Sequence, residues 1–106
     1  MTTAFILFPP TYLQRDAFFS DSQPTLIAAY QDNRYVIAGT AEVGDLEGHK
    51  AAEECFDLTN NPSRNSERAA ANLSRVRSVS VGDIIKVGSA ILLCAGTGWT
   101  NLSSPD

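Results

Sequence analysis

The stretch RSVSVGDIIKVGSAILLCAGTGW, residues 77–99, constrains the fold more than any other part of the chain. Two aliphatic runs, Ile84–Val87 and Ala90–Ala95, are separated by only Gly88-Ser89, which is the spacing and chemistry of a tight hairpin turn. Just before them, Val79 and Val81 alternate with Ser78 and Ser80, a pattern that predicts a half-buried strand. Gly82-Asp83 interrupts the alternation and predicts a bend or bulge. Gly96 and Gly98 are expected to end the pairing. Trp99, the only tryptophan, is expected to cover one end of the core, its indole N–H seeking an acceptor.

The remainder of the chain supplies what such a hairpin packs against. AFILF (residues 4–8) is a short apolar run that predicts a strand buried on both faces, ended by Pro9-Pro10. Residues 11–23 are ambiguous: a helix starting at Thr11 would turn Leu13, Ala17 and Phe18 inward, and Gln23-Pro24 would force an extended or turn conformation. TLIAAYQ (residues 25–31) fits a strand or a short helix. YVIAGTAEV (residues 35–43) predicts a strand, and with 25–31 also extended the two would form a hairpin over Asp32-Asn33. Ala51, Cys55 and Leu58 recur at helical spacing, with Ala52 and Phe56 beside them. A helix is expected over 46–59, N-capped by Asp45 and stopped by Asn60-Asn61-Pro62. Residues 63–77 are polar and fit either a second helix, with a thin stripe of Ala69, Leu73 and Val76, or a mobile loop. The predicted fold is α+β: one domain over 1–102, an antiparallel sheet of four or five strands with one or two helices packed on one face, and a loose tail at 103–106.

Several function classes are made improbable by composition. A net charge of −4 argues against nucleic-acid binding through bulk charge. The only two cysteines, Cys55 and Cys94, match neither a disulfide framework nor a zinc pattern; they fit buried free thiols, with a bridge between them left open. No run approaches the length of a spanning helix, and MTTAFILFPP lacks the basic region of a secretory signal, so a cytoplasmic protein is expected. The single histidine, His49, has Glu53 one helical turn away, but two side chains do not make a metal or acid–base centre; a solvated surface pair is expected. Gly96-Thr97-Gly98 lacks the following helix and lysine of a phosphate loop. No catalytic residue, cofactor or metal is expected.

Charge is unevenly placed. Residues 64–77 hold four of the eight basic side chains and one of the twelve acids. On a single helix over 64–76, Arg64, Arg68 and Arg75 would fall within about 40° of one another, a face suited to phosphates or to a carboxylate surface. Arg64, Arg68, Arg75 and Arg77 are therefore candidate partner-binding residues, with Asp83 and Trp99 as the edges of a possible groove. The acidic helix of Glu47–Asp57 is a further candidate docking surface. An exposed edge at Ala4–Phe8 or Ala90–Ala95 would allow two copies to pair.

From Leu46 to Leu102 the order of features resembles that of small accessory proteins of phages, conjugative plasmids and other mobile elements. These carry a C-terminal R-S-[LV]-S-V-G-D-[VI] strand and a short strand with C-A-x-x-G-W. The matching residues are Arg77, Ser78, Val79, Ser80, Val81, Gly82, Asp83 and Ile84, then Cys94, Ala95, Gly98 and Trp99. The resemblance implies a mobile-element setting and brings no catalytic residue with it. The expected function is a non-enzymatic binding protein that occupies a partner protein's surface; the alternative is nucleic-acid binding through Arg64–Arg77.

Overall fold

The computed structural model describes residues 2–14, 23–96 and 98–102. Strands β1 (Thr3–Phe8), β2 (Val36–Glu42), β3 (Ile84–Val87), β4 (Ala90–Ala95) and β5 (Gly98–Asn101) form one antiparallel sheet in the order β2-β1-β3-β4-β5. The described helices are α1 (Thr11–Gln14), α2 (Gln23–Gln31), α3 (Gly48–Asn60) and α4 (Asn65–Ala70), with a single 3-10 turn over Pro62–Arg64 ahead of α4. The α+β architecture expected from the sequence is the one found.

Alternation along the strands divides the core. Ile85 and Leu92 join Ala4 and Ile6 under Ala51, Cys55 and Leu58 of α3. Their neighbours Ile84 and Leu93 point to the opposite face, where they meet Leu7, Tyr35 and the α2 residues Leu26 and Ala29. Each fully buried Ile or Leu contributes about 1.5–3 kcal/mol relative to exposure. The central hairpin forms as its sequence predicts: Gly88 takes φ 58°, which an L-residue adopts reluctantly, and Val87 pairs with Ala90.

Several local expectations are corrected. Of the two readings open for residues 25–31 the helix is the one found, so no hairpin forms over Asp32-Asn33; Gln23-Pro24 is not extended but opens α2, Pro24 sitting in the first turn, where a missing N–H costs no helical bond. Asp32 and Asn33 do turn, but from a helix into a strand, with Asn33 at φ 60°. Helix α3 begins after Glu47, which makes no side-chain cap, and Asp45 is not its N-cap. Its C-terminal stop is as expected: the Asn61 N–H donates to the Asp57 carbonyl at 2.8 Å, and the Asn61 side chain accepts from the Ser63 N–H. Phe56, beside the apolar stripe of α3, is 40% exposed.

Residues 77–80 form no strand. Their polar groups are instead satisfied by side chains: the Val79 N–H donates to Thr59 Oγ1 at 2.9 Å and Asn60 Nδ2 donates to the Val79 carbonyl at 2.9 Å, pinning this segment to the end of α3. Gly82 does bend the chain, at φ 96°. Pairing does not end at Gly96 and Gly98: Ala95 pairs with Gly98 and the chain returns as β5. Ala4–Phe8 and Ala90–Ala95 are not edges either, because β1 lies between β2 and β3, and β4 between β3 and β5; the edges are β2 and β5. Ala17, Phe18 and the 103–106 tail lie outside the described residues.

Candidate functional site

The four arginines do not form a common face. α4 ends at Ala70 and Asn72 takes φ 61°, so no helix aligns Arg64, Arg68 and Arg75. Arg64 grips three carboxylates: its Nη1 and Nη2 reach Glu54 at 2.8 and 2.7 Å, Nη1 reaches Asp57 at 2.9 Å, and Nη2 and Nε reach Glu67 at 2.7 and 3.1 Å. All five donors of the guanidinium are thereby used. These bonds raise the Arg64 pKa, and the bond to Arg64 lowers that of Glu67.

Arg68 spends its donors on backbone. Nε donates to the Leu73 carbonyl at 3.0 Å, Nη1 to that of Thr59 at 2.9 Å, and Nη2 to that of Val76. It thus closes the loop after α4 onto the end of α3. Arg77 forks onto Asp83, both bonds at 2.7 Å, and lies 3.7 Å from the centroid of the Phe8 ring. Asp83 is fully buried and also accepts from the Ser80 N–H at 2.8 Å. Burial pushes its carboxyl above the usual range, while Arg77 and the Ser80 N–H oppose the rise. Beside it, the Tyr35 hydroxyl donates to the Gly82 carbonyl at 2.6 Å, and burial raises the Tyr35 pKa. This polar knot holds the irregular 77–83 segment in place of a strand ladder. Of the four arginines only Arg75 is exposed with no hydrogen bond or ion pair among the described residues.

Trp99 stands in a different setting. It is half-buried against the main core, opposite Cys94 in the β4–β5 register. With Phe56 and Glu53 of α3 it frames a groove of about 390 Å³ whose floor is Cys94 and Ala95. Asp83 shares a backbone row with this floor, since the Cys94 N–H donates to its carbonyl at 2.8 Å, but its side chain is held by Arg77 and does not line the groove. The lining is mostly apolar, and its rim is acidic: Glu53 is exposed, with His49 Nε2 3.8 Å away. Among the described strands none pairs with the outer side of β5, which runs beside the groove.

The floor is chemically quiet. Burial, and then Asp83, pushes the Cys94 thiol up to about 11; burial, and then Glu54, pushes the Cys55 thiol up to about 12. Both are free and buried, so neither presents a thiolate near neutral pH. The groove therefore offers surface, shape and a negative rim rather than a nucleophile.

The sequence pointed to Trp99 but set Phe56 only beside the apolar stripe of the helix, without marking it as a surface residue. Nor did it mark Thr59 and Asn60 as the residues that anchor 78–79. The only signal for Phe56 was its position at the margin of the apolar stripe, next to charged Asp57. Comparison with protein-family models, with curated proteins and with solved structures returned no match.

Proposed function

We propose that this chain is a small non-enzymatic binding protein, an accessory protein of a phage or plasmid working in the cytoplasm, that occupies a partner protein's surface through the Phe56–Trp99 groove. The observation that carries this is two large aromatic side chains lining one apolar groove beside a strand edge that no other described strand covers. Phe56, 40% exposed, and Trp99 both line the groove next to the outer side of β5. An exposed backbone edge accepts an extended segment through ladder hydrogen bonds, and an adjoining pocket selects one of its side chains. The partner segment is therefore extended, carries a bulky apolar anchor, and has a Lys or Arg beside it to meet Glu53. The acidic face of α3 contributes less than its sequence promises, because Glu54 and Asp57 already neutralise Arg64.

Selection from a displayed library of random peptides tests this. Enriched sequences should share an apolar anchor next to a basic residue. Because Trp99 is the only tryptophan, its emission should shift to shorter wavelength as they bind. Phe56→Ser should abolish the shift, and Glu53→Lys should weaken binding by about tenfold, roughly 1.4 kcal/mol. Peptides that bind both variants as well as the parent would reject the groove.

A further inference from the structure

The opposite edge of the sheet carries a separate surface. β2 is seven residues long, VIAGTAE, and has no neighbour on its outer side among the described strands. Within the strand there is no Lys, Arg or Pro; what breaks its regularity is Glu42 at the end and a bulge at Ala38, which is skipped in the β1–β2 register. Val36 is 61% exposed and Ile37 64%, and Phe5, on the same side as Ile37, is 38% exposed. Phe5, Leu7 and Ile37 line a shallow apolar cleft of about 200 Å³ beside them.

We infer that β2 is a self-association edge, which pairs antiparallel with β2 of a second copy to give a continuous ten-stranded sheet. The charges at its two ends select this occupant. Arg34 lies just before the strand, is exposed, and spends its guanidinium on a neutral group, the Tyr12 hydroxyl at 2.8 Å. Glu42 ends the strand, exposed, with only a hydroxyl donor, Thr3 Oγ1, at 2.6 Å. Antiparallel pairing of two identical strands brings Arg34 of each copy beside Glu42 of the other. The contact is isologous, so the ion pair and the apolar patch are each used twice. With Arg34 opposite Glu42, Ile37 of one copy lies opposite Gly39 of the other and Val36 opposite Thr40. A parallel arrangement would set like charges side by side. Because β2 and β5 are the two ends of the sheet, the pairing leaves the Phe56–Trp99 groove open.

Sedimentation of the full chain over a concentration series from about 1 to 500 μM decides it. The parent should pass from monomer to dimer. Ile37→Lys, at a position already facing water, should remain monomeric with an unchanged circular dichroism spectrum. Arg34→Glu and Glu42→Arg should each weaken the dimer by about tenfold or more, since like charges then oppose each other twice across the symmetry axis. The combined Arg34→Glu/Glu42→Arg variant should recover it. A monomer at every concentration would overturn the inference, as would a dimer that survives Ile37→Lys. A combined variant no tighter than the single ones would overturn the antiparallel register.

Discussion

The arginine-rich segment at 64–77 and the groove between Phe56 and Trp99 reverse the roles their sequences suggest. The arginine segment has the composition of a docking surface: four cations with a single acid among them. In the fold, three of the four are consumed, Arg64 by Glu54, Asp57 and Glu67, Arg68 by backbone carbonyls, and Arg77 by the buried Asp83. The groove has the sequence of a plain hairpin end, yet it leaves two aromatic side chains beside a strand edge that no other described strand covers. Formal charge along a chain measures what could be offered to a partner. What is offered is the part whose donors, acceptors and apolar area remain unspent once the fold has closed.

This contrast makes graded predictions. The largest effect belongs to the knot: Asp83→Ala removes both bonds of Arg77 and the acceptor of the Ser80 N–H, and should cost about 3 kcal/mol of unfolding free energy in urea denaturation. Next comes Arg68→Ala. It leaves the Thr59, Leu73 and Val76 carbonyls short of a donor and should cost about 2 kcal/mol, with faster amide exchange in residues 71–79. If either variant kept full stability while losing a ligand, the arginine segment would be a surface after all.

A smaller effect concerns pH. Both thiols titrate above the ordinary value of 9.0 in the folded chain. The unfolded chain therefore loses these protons first, and the thiols' contribution to stability should be level below pH 9 and fall between pH 9 and about 12. Replacing Cys55 and Cys94 by Ala should flatten that fall in a urea series run against pH. The smallest expected effects sharpen the comparison from the other side. Phe56→Ser should change stability by less than about 0.5 kcal/mol while removing peptide binding, and Arg75→Glu should change neither.

The fold was legible where local pattern and long-range packing agree. The β3–β4 hairpin follows from two aliphatic runs around Gly88-Ser89, and α3 follows from Ala51, Cys55 and Leu58 with an Asn-Asn-Pro stop. Residues 25–31 were not legible, because Leu26, Ala29 and their neighbours satisfy a short strand and a short helix equally. The core on the far face of the sheet, which α2 completes, settles the matter. Residues 78–80 alternate like a strand but have no neighbour to pair with; Thr59 and Asn60, about twenty residues away, take over the role of a ladder. The candidate site was half legible. Trp99 announces itself as a lone tryptophan after a hairpin, whereas the exposure of Phe56 depends on where the β4–β5 turn leaves room over α3. The arginines were misleading because their carboxylate and carbonyl partners lie up to ten residues away along the chain, invisible to spacing on a helical wheel.

The groove is tested most directly by an amide chemical-shift map of the ¹⁵N-labelled protein titrated with the tightest peptide from the selection. Shifts confined to residues 53–56 and 94–101, on α3 and the β4–β5 hairpin, are expected. Shifts centred on residues 64–77 would contradict that expectation and return the arginine segment to the surface that binds.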